Sequence, residues 1–211
     1  MTELLPEIKQ AIEFVAAAAT GGLIGNRVDG WFVNLYYHEK QRILSWIRSW
    51  TLTESDKEAI NNDEKLKILF SQVTSSVANE IFDQKLLIWP TITESLLRNN
   101  AFSFDKKQYF ISLFLKLDPF TIHFLATLCF KGHIEYEEVF PGHRENKKPS
   151  ITDKAFSFYL GQLQSAFAGT TDLFYDDKKQ IHYIKISDLG SQFIDFISNS
   201  SQEKIKEIAG Q

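Results

Sequence analysis

The sequence predicts a mainly α-helical chain with one small β-hairpin near its C-terminal end. Three observations predict it. Apolar residues recur at three- and four-residue intervals over most of the 211 residues. Gly (10) and Pro (5) are too scarce for a turn-rich all-β fold, while 18 Phe supply bulky packing for helical cores. The period drops to two only at Leu173-Phe174-Tyr175 and Ile181 to Ile186, around the polar turn Asp176 to Gln180. A net charge of -4 with 44% hydrophobic residues is an ordinary globular composition, which sets aside disorder, collagen and a bare coiled coil. The length suits one large or two small domains. A single cysteine, Cys129, excludes an intramolecular disulfide and a cysteine-based zinc site, and suits a reducing cytoplasm.

The first helix is expected over about residues 6–19, with Ile8, Ile12, Val15 and Ala19 on one face and Gly21-Gly22 as its stop. Its end merges into an uncharged stretch, Phe14 to Gly25, preceded by Glu3, Glu7 and Glu13 rather than by a basic region. Twelve such residues would cover only about 18 Å as a helix, so a buried helix end is expected and not a membrane span. A second helix, 28–50, carries Leu35, Tyr36, Ile43, Trp46, Ile47 and Trp50 at helical spacing, with Asn34, Lys40, Arg42 and Arg48 opposite. Thr53 to Asp56 caps a short segment around 57–62. A long helical pattern follows from 64 to 97, and Trp89-Pro90 is expected to break or kink it, because proline lacks an N–H and disfavours α geometry at Trp89.

The pattern lapses at Arg98-Asn99-Asn100, which predicts a helical region over 1–100, a second domain over 101–199 and a frayed tail over 200–211. A helix at 106–117 precedes Asp118-Pro119, an N-cap carboxylate with proline at the first helical position. Ile122, Leu125 and Leu128 follow as the apolar face and Gly132 as the stop. Residues 141–149 read as an exposed loop, and Phe156, Tyr159, Leu160, Leu163 and Phe167 as a helix stripe. Helix, loop, helix, hairpin, helix over 118–197 is the element order of a winged helix, with the 153–168 helix in the recognition position and the hairpin as wing.

The run Phe110-Ile111-Ser112-Leu113-Phe114-Leu115-Lys116-Leu117-Asp118-Pro119-Phe120-Thr121-Ile122-His123-Phe124-Leu125-Ala126-Thr127-Leu128, followed by Leu189-Gly190-x-x-Phe193, resembles the C-terminal half of the Abi-alpha-like bacterial proteins. The likeness covers about residues 80–197 through motif order, not through a catalytic signature. It implies a bacterial protein associated with abortive-infection phage defence.

A DNA-reading winged helix concentrates cations where it meets phosphate. Residues 151–199 instead hold four lysines (154, 178, 179, 185) against six aspartates (153, 172, 176, 177, 188, 195), a net of -2. Lys154, Gln164, Lys178 and Lys179 are the candidate nucleic-acid contacts, Gln being able to read adenine bidentately. Trp46, Trp50 and Arg42 are the candidate partner-binding residues, since aromatic and arginine anchors dominate protein interfaces. No catalytic or metal-binding constellation emerges. The five histidines lack a ligand spacing, His123 reads as a hydrogen-bonded core histidine, and Cys129 as buried and inert. Glu80 with Asp83-Gln84-Lys85 has a nuclease-like acid-x-Lys spacing but lies in a helical pattern. No cofactor is expected. The sequence thus points to a cytoplasmic, non-enzymatic protein-interaction or regulatory subunit with a protein or homo-oligomeric partner. A winged-helix DNA-binding regulator and an accessory subunit of an SMC-type ATPase complex are the alternatives.

Overall fold

The computed structural model describes residues 10–15, 36–135, 171–176 and 181–210. It is mainly helical with one small antiparallel sheet, as the periodicity predicts. The chain divides into two compact units, Met1–Leu115 and Lys116–Gln211. The division thus falls within a helix (Phe104–Lys116) and later than the expected boundary at residue 100. The physical reason is that this helix sinks Phe110, Ile111, Leu113 and Phe114 into the first unit, so a lapse in apolar pattern at 98–100 marks a turn inside one core.

In the first unit, a helical turn at 10–15 is followed by α1 (Tyr37–Arg48), α2 (Glu54–Asn62), α3 (Glu64–Asn79), α4 (Asp83–Leu86), α5 (Trp89–Arg98) and α6 (Phe104–Lys116). Helix α2 starts as expected at Thr53, whose hydroxyl accepts from the Asp56 N–H while the Asp56 carboxylate accepts from the Thr53 N–H at 2.9 Å. Helix α3 is the central element. It packs against α1, α2 and α5, and fully buries Leu69, Phe70, Val73 and Val77, each worth about 1.5–3 kcal/mol relative to exposure. The long helix expected over 64–97 is three helices. It is interrupted at Glu80 to Phe82 and again at Leu87-Ile88, directly before Trp89-Pro90; Pro90 sits in the first turn of α5, where its missing N–H costs no helical bond.

In the second unit, α7 (Pro119–Lys131) opens on Asp118, whose carboxylate accepts from Thr121 N–H at 2.7 Å, and ends on Gly132 at φ +79°. Both ends are where the sequence puts them. The sheet has three strands, β1 (His133–Glu135), β2 (Thr171–Asp176) and β3 (Ile181–Ile186), in the order β1-β3-β2 and antiparallel throughout. The hairpin pairs Leu173 with Ile184. Helix α8 (Asp188–Ser198) is capped by Ser187 and buries Phe193, Ile194, Phe196 and Ile197. The expected frayed tail is a helix, α9 (Gln202–Ile208), docked on α7 through Ile205 at 1% exposure. Tertiary burial of one isoleucine stripe overrides its weak local pattern. The expected recognition helix at 153–168 lies outside the described residues. Among the described residues no helix is long and apolar enough to cross a membrane.

Candidate functional site

The outer stripe of α3 is unlike its buried one. Opposite Leu69, Phe70, Val73 and Val77, the helix presents Ile68, then Ser71, Gln72, Ser75, Ser76 and Asn79. These short side chains leave an open cleft of about 630 Å³, closed by Glu80, Ile81, Phe82, Lys85 and Leu115. Two floor side chains bond their own helix: Ser76 Oγ donates to Gln72 C=O at 2.7 Å and Asn79 Nδ2 to Ser75 C=O at 2.8 Å. The rim is apolar, with Ile68 53%, Ile81 74% and Leu115 40% exposed.

Beneath the cleft lies an ion pair where the sequence shows only an acid-x-Lys spacing. Glu80 Oε1 accepts the N–H groups of Ile81 (3.1 Å) and Phe82 (3.2 Å), which turns the chain out of α3. Glu80 Oε2 accepts Trp89 Nε1–H at 3.3 Å and lies 3.5 Å from Lys85 Nζ. Both charges are buried, with the Lys85 and Glu80 side chains 3% and 5% exposed. The ammonium also stands 4.7 Å from the centroid of Phe114, on the ring face, and donates toward Leu115 C=O. With its oxygens engaged by four donors, this carboxylate is an anchor for the cleft wall. Asp83 and Lys85 sit on a short helix, not on the strand a metal-dependent nuclease site requires. Among the described residues no group of three or more His, Cys, Asp or Glu side chains could hold a metal ion.

The chain matches no family model, no curated protein and no solved structure of known proteins.

Of the three candidate partner-binding residues, the two tryptophans come together, but inside. Trp46 and Trp50 are 2% and 7% exposed, their rings 5.5 Å apart and both against Phe70. Trp46 Nε1 donates to Thr93 Oγ1 at 3.0 Å. Among the described residues the Trp50 Nε1 and Ser95 Oγ atoms are buried without a hydrogen-bond partner. These two aromatics are core packing of α1 against α3 and α5, so they do not offer the partner surface expected of them. Arg42 is half-buried and its guanidinium donates to Ala78 C=O at 3.1 Å, closing the last turn of α3. Lys154, Gln164, Lys178 and Lys179 all lie outside the described residues.

A second cleft of about 420 Å³ runs between α2, α3, α5 and α6. Its cation, the half-buried Lys107, donates to Leu96 C=O at 2.8 Å; partial burial pulls its pKa down, against the opposing charge of Asp63. In the second unit His123 is exposed, not a core residue, and its Nδ1 lies 3.1 Å from Ile208 C=O at the end of α9. Cys129 is half-buried. Burial first, then the charge of Asp195, pushes its thiol pKa up, which keeps it protonated and unreactive.

Proposed function

We propose that the protein is a non-enzymatic interaction subunit that receives a protein partner on the α3 cleft, and that it acts in bacterial phage defence. The observation that carries the reading is the cleft rim. Ile68, Ile81, Phe82 and Leu115 expose large apolar side chains around one concave face, and Leu87, 75% exposed, lies just beyond in the chain. Grouped exposed apolar surface marks interaction sites, whereas scattered single residues do not. The rim is rigid, because Glu80 and Lys85 fix the 80–85 corner from below. The charges lining it are that buried pair alone, so it suits an apolar segment of a partner.

The proposed winged-helix character of the second unit is supported by the sheet. A helix, a short strand, an intervening stretch, then a hairpin whose second strand lies between the other two is the winged-helix strand order. Phage defence and a cytoplasmic site of action rest on the family resemblance and the lone cysteine. Because residues 151–199 are net acidic, this winged helix is proposed as a protein-binding one.

The test is co-purification of the tagged full chain with the products of neighbouring genes, SMC-type ATPases among them, repeated with Ile81→Asp/Leu87→Asp. Loss of a captured partner with an unchanged melting temperature supports the cleft as the docking face. Tight DNA binding with a steep salt dependence, indifferent to that double variant and abolished by Lys154→Ala/Lys178→Ala/Lys179→Ala, refutes the proposal in favour of a DNA-binding regulator.

A further inference from the structure

The link between α8 and α9 is backbone-strained. Asn199 and Ser200 both have positive φ, 51° and 56°, a conformation in which an L side chain crowds the backbone. Asparagine tolerates it and serine does so far less. The turn is held by local bonds: Asn199 N–H to Phe196 C=O (3.4 Å), Ser200 N–H to Asp195 C=O (2.8 Å) and Ser201 N–H to Ser198 C=O (3.1 Å). This tight reversal returns α9 onto the α7 of its own chain. There Ile205 and Ala209 are buried, Ile208 C=O meets His123, Gly210 abuts the His123 ring, and Lys206 Nζ lies 5.6 Å from the Phe130 ring centroid.

We infer that this face of α7 is an interface between two copies of the chain, formed by exchange of α9. The three hinge residues, Asn199, Ser200 and Ser201, include neither glycine nor proline. Nothing in their chemistry prevents them from becoming helical and joining α8 and α9 into one helix from Asp188 to Ile208. The turn's local bonds are then replaced by ordinary i to i−4 helical bonds, and the strain at Ser200 disappears. The sequence supports the continuous helix. Ile205 and Ile208 fall eleven positions after Ile194 and Ile197, and eleven residues make about three turns, which sets them on one stripe. In the exchanged form Ile205 of each copy fills the α7 site of the other with the same contacts it makes in the closed form, so complementarity is guaranteed by identity. Relief of hinge strain is the driving difference, and short hinges under strain favour such exchange.

The test is light scattering with size-exclusion chromatography on the full chain over a concentration series, after incubation long enough for exchange. Ser200→Gly removes the strain of the closed form, and Asn199→Ala/Ser200→Ala increases it while favouring helix. The dimer fraction is expected to rise in the order Ser200→Gly, wild type, double alanine, with a shift of about tenfold or more in dissociation constant at each step. Ile205→Asp, which spoils the strap in either form, abolishes the dimer. Absence of dimer in the double-alanine variant, an equal dimer fraction in all three hinge forms, the reverse order, or a dimer that survives Ile205→Asp overturns the inference.

Discussion

Replacing either member of the Glu80–Lys85 pair is expected to destabilise the first unit strongly, and replacing both is expected to restore much of the loss. Breaking a buried pair from one side leaves an uncompensated charge, at about 3–5 kcal/mol, whereas an apolar or neutral replacement of the whole pair is often close to neutral. The two single changes differ in what remains. After Lys85→Met the carboxylate keeps three neutral donors, the N–H groups of Ile81 and Phe82 and the indole of Trp89, so the loss falls near the lower limit, about 3 kcal/mol. After Glu80→Gln the ammonium loses its carboxylate, keeping neutral contacts that include Leu115 C=O and the Phe114 and Phe82 rings, and the new amide N–H₂ faces a donor, so about 4 kcal/mol is expected. Glu80→Gln/Lys85→Met holds no buried charge and is expected to lose about 1–2 kcal/mol, that of the amide's misfit alone. The assay is urea unfolding at neutral pH with tryptophan fluorescence, reading the midpoint at constant slope. Single losses below about 1 kcal/mol that simply add in the double variant would refute the reasoning, because exposed pairs behave in that way.

Two further outcomes concern pH. Burial raises the Asp195 carboxyl above its ordinary value, so the folded second unit favours the protonated form. Its contribution is complete below the unfolded pKa and is lost as pH rises through the raised folded one. Asp195→Asn should therefore raise the melting temperature at neutral pH, leave it nearly unchanged at pH 3, and quicken alkylation of Cys129; equal effects at both pH values would contradict this. Asp56 is the opposite case. Burial pushes it up, but hydrogen bonds from Arg98 (2.8 Å) and Thr53, with the guanidinium charge, outweigh burial and hold the carboxyl below its usual value. That stability is present above the unfolded pKa and lost as pH falls through the folded one. With Arg98 partly exposed, Arg98→Gln is expected to cost about 1 kcal/mol more at pH 7 than near pH 2 by chemical denaturation, since only the loss of its bond to Thr51 C=O is independent of pH.

Local chemistry was legible wherever it decided the structure. Asp118-Pro119, Gly132 and the Thr53/Asp56 box are read from a few adjacent residues, and each bounds a helix where expected. Pro90 marks a real interruption, at Leu87-Ile88 just before it, where its missing N–H suits the first turn of the helix that begins around it. The earlier interruption has no such signal: Glu80 sets it, its carboxylate taking two backbone donors while Lys85 and Trp89 hold it. Strand β1 is three residues long and pairs with β3 across a large sequence separation. Its only signal was Ile134 between polar neighbours after a helix-ending glycine. The Trp46 and Trp50 helix shows the limit most clearly. An aromatic face reads the same whether it meets a partner or a core, and Phe70 and Thr93, far along the chain, decide for the core. The cleft was invisible for the complementary reason. Serine and asparagine at helical spacing look like a solvated face, and their small volume becomes a feature only when the 80–85 corner and Leu115 stand beside them.

All four tryptophans, Trp31, Trp46, Trp50 and Trp89, belong to the first unit, and the second has none. The chain therefore carries an intrinsic optical label on one of its two units. Indole emission follows the melting of residues 1–115 alone, while far-ultraviolet dichroism sums both units. Any gap between the two transition curves measures how far the units unfold independently, with no label added to the protein.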